Sequence, residues 1–291
     1  MSDPTKTEII GVLYVVATPI GNREDITLRA LNILREVDLI AAEDTRKSGS
    51  LLAHYQIKNR LVSFHEHNEK KRTPELIGKL LDGMTIALVS NAGTPTVSDP
   101  GYILLQKALE HNIQVVPVPG PSAMLAALSI SGLPTDSFIF IGFCAKKKTK
   151  RLKQLQALAH ETRTLIFYES PGRIVTFMNE IKTVLGDRHV VLCREMTKLH
   201  EEFLRGCLSE VIETLSGRPA VKGECTLLVK GFEENISVSQ DVVRAELIQA
   251  LDKKKEKLSQ ICRILAQKYG LSRNDVYEQA LKLKSEGFKK E

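Results

Sequence analysis

No apolar run in this chain approaches the roughly 20 residues needed to cross a bilayer. The opening Met1-Ser2-Asp3-Pro4-Thr5-Lys6 lacks the apolar core of a secretory signal. The five cysteines (Cys144, Cys193, Cys207, Cys225, Cys262) are scattered, odd in number and without a C-x-x-C pair, which argues against a disulfide framework and a zinc site. We therefore expect a reducing cytoplasmic setting, no membrane association and no metal. Also missing are G-x-G-x-x-G and G-x-x-x-x-G-K-[ST], which counts against a dinucleotide dehydrogenase, an ordinary Rossmann methyltransferase and a P-loop nucleotide hydrolase. Without a G-x-S-x-G elbow, Ser122 reads as a helix cap rather than a nucleophile.

What is present suits a globular protein of two domains: 291 residues, 43% apolar and 26% charged. Three apolar runs empty into Gly/Pro-rich loops. Gly11-Val12-Leu13-Tyr14-Val15-Val16 leads to Ala17-Thr18-Pro19-Ile20-Gly21-Asn22. Met84-Thr85-Ile86-Ala87-Leu88-Val89 leads to Ser90-Asn91-Ala92-Gly93-Thr94-Pro95-Thr96-Val97-Ser98-Asp99-Pro100-Gly101. Ile113-Gln114-Val115-Val116 leads to Pro117-Val118-Pro119-Gly120-Pro121-Ser122-Ala123. Near-continuous apolar runs are the signature of buried parallel strands, and loops at their carboxyl ends are where open α/β sheets bind ligands. Gly93 and Gly101 would let the backbone approach a bound molecule closely, while Ser98-Asp99-Pro100 reads as the start of a helix.

Strand-like runs at 11–17, 37–42, 84–90 and 113–117 alternate with segments of helical spacing, Leu28/Leu31/Leu34 and Leu104/Leu105/Ala108/Leu109 among them, which predicts a parallel α/β domain. New runs at 137–143, 164–168, 189–194 and 225–232 predict a second. The expected division is a flexible tail at 1–8, α/β domains at 9–122 and 123–235, and a helical, helix-turn-helix-like basic region at 236–291. In that last region Leu258, Ile261, Ile264 and Leu265, then Val276, Ala280 and Leu281, mark two amphipathic helices, for which a plain helical hairpin is an equal reading.

Net charge is +6, and residues 241–291 hold 12 Lys/Arg against 8 Asp/Glu. A second basic cluster (Lys146, Lys147, Lys148, Lys150, Arg151, Lys153) opens a helix, where cations oppose the helix dipole. Phosphate contact explains such placement; so does a solvated face. At another strand end Glu43 and Asp44 stand beside Arg46 and Lys47, an arrangement able to deprotonate a hydroxyl and hold a phosphate, or simply to cap a helix. His65 and His67 have ligand chemistry, but no further ligand set accompanies them. Ser170-Pro171 would start a helix with Arg173 in its first turn.

The strings ATPIGN (17–22), AEDTR (42–46), HNE (67–69), SNAGTPTVSDPG (90–101), PGPSA (119–123) and YESPGR (168–173) together resemble the ribosomal RNA small subunit methyltransferase I family, of the tetrapyrrole-methylase-like class III methyltransferases. The resemblance runs from about Gly11 into the helical C-terminus. It implies two α/β domains with S-adenosylmethionine in the cleft between them, a homodimer, and 2′-O-methylation of a cytidine in the decoding region of 16S ribosomal RNA. It further implies that Pro19, Asn91, Ala92, Gly93, Thr94, Pro95, Ser122 and Ala123 face the cofactor from the first domain and Tyr168, Met196 and Cys225 from the second. The family loop usually reads S-D-A-G-T-P; here Asn91 stands for the acid, keeping an acceptor oxygen without its charge.

Glu43, Asp44 and His65 are unranked candidates for a base. Arg46, Lys146, Lys147, Lys148, Lys150, Arg151 and Lys198 are candidate contacts to RNA, within the small ribosomal subunit or free of it. Two alternatives remain: a tetrapyrrole methyltransferase of the same fold, and a noncatalytic RNA-binding protein. The second leaves the three strand-end loops unexplained.

Overall fold

Residues 10–233, 240–252, 258–269 and 273–285 are described in the computed structural model of the chain. Five apolar segments form a wholly parallel sheet: β1 (Val12–Val16), β2 (Leu39–Ala42), β3 (Leu61–Ser63), β4 (Ile86–Val89) and β5 (Gln114–Val118), in the order β3-β2-β4-β1-β5. Successive side chains of a strand point to opposite faces, so each continuous run feeds two cores. Ile40 and Ala42 join Ala30, Leu31 and Leu34 of α1 (Leu28–Glu36) and Leu52 of α2 (Thr45–His54). Leu39 and Ala41 join Leu76 and Leu80 of α3 (Glu69–Leu81) and Leu104 and Ala108 of α4 (Tyr102–Glu110).

This placement sets the ligand sites. Chains leaving β1 and β2 turn toward one face and the chain leaving β4 toward the other. The loop after β4 therefore diverges from both its neighbours, which opens a crevice on each side of it.

The helix α5 (Ala123–Ser131) leads to a mixed sheet of β6 (Phe138–Phe143), β7 (Thr164–Glu169), β8 (His189–Arg194), β9 (Glu202–Cys207) and β10 (Cys225–Val229), in the order β6-β7-β10-β8-β9. Only β6 and β7 are parallel; the other pairs run antiparallel. One face, with Leu165, Phe167, Leu192 and Leu227, buries α6 (Lys148–Ala157), α7 (Ile174–Leu185) and α8 (Leu208–Ser216). The other, with Ile166, Val191, Cys193 and Leu228, packs on Ala127 and Leu128 of α5 together with Ile20. The expected division at residue 123 thus falls at the start of α5, and both sheets lie in one compact unit that ends at Phe232.

A second unit comprises α9 (Gln240–Asp252), α10 (Leu258–Tyr269) and α11 (Arg273–Ser285) around Val243, Leu247, Ile261, Cys262, Leu265, Val276 and Ala280. It has one more helix than the spacing predicts. The expected tail at 1–8 lies outside the described residues. No described helix is long and apolar enough to cross a membrane.

Several expectations need correction. Leu28 and Leu109 point outward, at 80% and 57% exposure, as do Ile264 and Leu281, so apolar spacing overstates the buried faces. The helix expected at Ser98 starts at Tyr102, and Arg173 precedes α7 rather than lying in its first turn. The short edge strand β3 and the edge strand β9, with its Glu202, Arg205 and Gly206, have no clear apolar signature.

Candidate active site

The loop after β4 is tied to the loop after β1 by a two-residue bridge. The Thr18 amide donates to the Gly93 carbonyl and the Gly93 amide to the Thr18 carbonyl, both at 2.9 Å. The Thr18 hydroxyl donates to the Ser90 carbonyl at 3.0 Å. Gly93 holds φ +76°, a left-handed conformation that glycine adopts without strain. Thr96 and Ser98 also have positive φ. The turn ends on Gly101, the N-cap of α4, where buried Glu69 accepts from the Gly101 and Ile103 amides at 3.1 and 2.9 Å. A carboxylate from α3 thus caps α4, leaving Ser98 and Asp99 outside that role.

The crevice toward β1 and the second sheet is a cavity of about 420 Å³, within the range of small-molecule sites. Asn91, Ala92, Gly93 and Thr94 line it from the first sheet, with Ile20; Ser122 and Ala123 line it from the start of α5; Tyr168 and Cys225 line it from the second sheet. The Ser122 hydroxyl makes no capping bond to its helix. The Tyr168 hydroxyl accepts from the Met124 amide at 3.1 Å, and burial pushes its pKa up. Burial also raises the Cys225 thiol to about 11, so it presents a neutral wall. Pro19, Pro95 and Met196 are not part of the lining: Met196 is buried in the apolar cluster with Ile20 and Leu128, and Pro95 is buried beneath the loop.

The crevice toward β2 is a second cavity, of about 550 Å³, reached by Asp44, Arg46, Ser63, His65 and His67. Glu43, Asn91, Ser98 and Asp99 line both cavities. At that seam the Asn91 amide donates to Glu43 Oε2 at 2.9 Å, while Asn91 Oδ1 is buried with no partner.

The three base candidates differ in what their lone pairs already do. Asp44 caps α2 through the Arg46 amide at 2.9 Å and forks with the Arg46 guanidinium at 3.2 and 2.9 Å. Those hydrogen bonds hold its carboxyl down to about 2, far too weak a base for the role. Asn68 Oδ1 accepts from the His65 amide, so Asn68 Nδ2 faces His65 Nε2 at 3.2 Å as a donor. That puts the ring proton on Nδ1, which is buried and unpartnered, and leaves no free lone pair on the ring. Glu43 keeps one carboxylate oxygen.

Among the candidate RNA contacts, Lys146, Lys147, Lys148 and Lys150 are exposed at the start of α6. Arg151 is not available. It is buried, forks with Glu180 at 2.6 and 2.8 Å, and donates to the Ala145 and Lys146 carbonyls. Lys198 is half-buried between Glu195 and Glu224, both at 2.9 Å. Arg46 is exposed, although paired with Asp44.

Asp99 does not stand out in the sequence as a titratable group. Burial, with the nearby charge of Glu43, raises its carboxyl to about 6, against the pull of the Ser90 hydroxyl. Glu169 is equally inconspicuous there: fully buried at the end of β7, it accepts from Arg173 at 2.6 to 2.9 Å and from Ser170.

Comparison with known proteins fits this geometry. The tetrapyrrole (corrin/porphyrin) methylase family model matches residues 12–212. A ribosomal RNA small subunit methyltransferase I of Synechocystis is 46% identical over 96% of this chain and 100% of its own length. Its namesake from Haemophilus influenzae is 44% identical over 94% of this chain and 97% of its own. The chain belongs to the ribosomal RNA small subunit methyltransferase I family, within the tetrapyrrole methylases. Uroporphyrin-III C-methyltransferase from Thermus thermophilus, solved with S-adenosylhomocysteine, shares the fold at TM-score 0.55 and 21% identity, covering 75% of this chain and 97% of that one. Diphthine synthase does so at TM-score 0.57 and 14% identity, over 76% and 90%.

Membership makes the chain a methyltransferase with S-adenosylmethionine as methyl donor. The first cavity suits that molecule. Asn91 supplies an unpartnered acceptor, Ser122 an uncommitted hydroxyl, and Glu43 and Asp99 negative charge for a cationic donor.

Proposed function

We propose that this protein transfers a methyl group from S-adenosylmethionine to the 2′-oxygen of a cytidine in the decoding region of 16S ribosomal RNA, acting as a cytoplasmic homodimer on the small ribosomal subunit. The observation that carries the reading is the pair of cavities meeting at Glu43, Asn91, Ser98 and Asp99: a donor in one and an acceptor in the other would approach each other across that seam. The names of its relatives support the RNA substrate. Because a sulfonium methyl is already activated, alignment of the ribose oxygen with it supplies much of the catalysis. Lys146, Lys147, Lys148 and Lys150, with Arg46, are the exposed cations that would meet phosphates.

Mass mapping of ribosomal RNA from cells with and without this chain tests the reading, beside a purified assay offering small-subunit particles or a free tetrapyrrole. Loss of one ribose methyl group on a decoding-region cytidine supports it. Transfer to the tetrapyrrole alone, or to neither, overturns it.

A further inference from the structure

We propose that Phe143 is the platform on which the base of the target cytidine stacks, drawn out of the RNA so that its ribose reaches the seam between the two cavities. This rests on the methyl-transfer reading above. Strand β6 is arranged to put that ring there. Phe140 pairs with Ile166 and the next pair is Gly142 with Phe167, so Ile141 is an extra residue without a partner on β7. Ile139 and Ile141 pack on the core beneath α6 and α7, where strict alternation would also send Phe143. The extra residue reverses that: Phe143 pairs with Tyr168, which lies on the cavity face. Gly142 takes φ +67° there, and a Cβ on it would stand 2.7 Å from Ser98 Oγ. Its lack of a side chain lets the end of β6 close against Ser98, which lines both cavities.

The ring is open to a partner. Among the described residues two aromatic rings line the first cavity. Tyr168 is half-buried and its hydroxyl is committed to the Met124 amide, whereas Phe143 is 57% exposed. The two centroids lie 5.6 Å apart at an interplanar angle of 61°, an edge-type contact, and Phe140 meets Tyr168 in the same way at 5.0 Å. Phe143 is thus braced from one side, and an edge contact leaves a face of the ring for stacking.

Cations follow the ring into α6: Lys146, Lys147, Lys148 and Lys150 are exposed, and Lys47 lines the same cavity from α2. An aromatic face beside a run of cations is how single-stranded nucleic acid is held, the cations tracking phosphates while the ring takes a base. A ribose inside a stacked helix is not free to align with a sulfonium methyl, and a base turned outward needs a surface in place of its lost neighbours. The donor has a more enclosed choice. Ala92, Ala123 and Cys225 offer it an apolar wall that is buried or half-buried, whereas Phe143, more than half exposed, stands on the open side.

Kinetics with the full chain, S-adenosylmethionine and unmethylated small-subunit particles decide the matter. Phe143→Ala removes the stack, so kcat/KM for particles should fall by about tenfold or more, while donor affinity by calorimetry and the melting temperature stay near wild type. Phe143→Leu keeps apolar bulk without an aromatic face and should be impaired almost as much. Phe143→Tyr and Phe143→Trp restore that face and should recover most of the turnover. If Phe143→Ala does not fold, Phe143→Leu against Phe143→Tyr decides alone, since both keep the bulk. Wild-type kcat/KM in Phe143→Leu, or Phe143→Tyr no better than Phe143→Leu, overturns the proposal. So does donor affinity lost in step with turnover, which would make the ring a contact of the donor's adenine. Wild-type protein that methylates no particle defeats the functional reading, and the proposal with it. Wild-type transfer with every variant undiminished defeats the proposal alone.

Discussion

The two sheets use charge in opposite ways. At the carboxyl edge of the parallel sheet, Asp99 and Lys47 line the cavities with no salt bridge to them among the described residues. In the mixed sheet and its helices, cations and carboxylates are closed into pairs: Arg151 with Glu180, Arg173 with Glu169, Arg194 and Arg218 with Glu202, Lys198 with Glu195 and Glu224. The difference follows from topology. Parallel strands send every strand-to-helix loop to one edge, so polar groups gather where a ligand is to sit. The antiparallel half has no such shared edge, and its charges join helices to strands. One half presents chemistry; the other is a wall that must stay in place.

The sharpest break of that comparison is Arg151→Ala. It strands Glu180, whose side chain is 8% exposed, as an unpaired charge. A buried pair broken on one side costs about 3–5 kcal/mol, so urea or thermal unfolding should show a large loss. Replacing both partners with methionine should recover most of it. An unfolding midpoint unchanged by Arg151→Ala would mean the pair is not structural, and would restore Arg151 as a phosphate contact.

In the other half, Gly93→Val should act on the ligand more than on the fold. A Cβ at Gly93 meets Ile20 and the Pro121 carbonyl only at 3.7 and 3.8 Å, ordinary contact. The left-handed φ therefore supplies the cost in stability, about 1–2 kcal/mol. The branched side chain also enters the cavity, and donor affinity should fall by at least about tenfold, or about 1.4 kcal/mol. Calorimetry with S-adenosylmethionine on the folded variant checks this, and wild-type affinity would remove the loop from the binding site.

The same contrast explains what can be read from the sequence. The strands β2 and β4 are legible because both their faces are buried and the apolar run is unbroken, and β1 because its run is unbroken too; β5, an edge strand with Gln114 and Pro117 exposed, shows itself through Val115, Val116 and the Pro/Gly-rich loop that follows. The edge strand β3 has three half-buried residues, and β9 holds only the pair Phe203-Leu204 between the charges of Glu202 and Arg205, so neither stands out. The three loops announce a pocket. The charges within it are harder, since a pair reveals itself only when both ends are known. Arg151 hides in a run of lysines while its partner lies 29 residues on. Glu69 caps a helix 32 residues away, so Ser98-Asp99-Pro100 reads as a local helix start and Asp99 is hidden behind that reading.

A subtler test uses acid. Glu202 is held down to about 2 by hydrogen bonds from Arg218 and then Arg194, against burial. A carboxylate depressed in the folded state contributes stability that is full above its ordinary range, near 4.5, and lost as pH falls through the folded value. Glu202→Gln should therefore lower the melting temperature at pH 7, and the gap to wild type should shrink steadily from about pH 4.5 toward 2. A gap independent of pH would mean that packing, not charge, is what the residue contributes.

The smallest change in stability, and the most informative for function, is expected where the second half departs from its own pattern. Lys146, Lys147, Lys148 and Lys150 are exposed and form no salt bridge among the described residues. Their positive charge at the start of α6 also works against the helix dipole. Fold stability does not ask for lysine there, so the quadruple change to Gln should leave the melting temperature unchanged or slightly raised. RNA binding should respond differently. Each lysine that meets a phosphate releases condensed counterions, so log affinity against log salt should become shallower by about 0.7–0.9 for every phosphate no longer neutralised. S-adenosylmethionine affinity should stay the same, since none of the four lines its cavity. A salt slope equal to that of the wild type would make this run a solvated face, with no part in holding RNA.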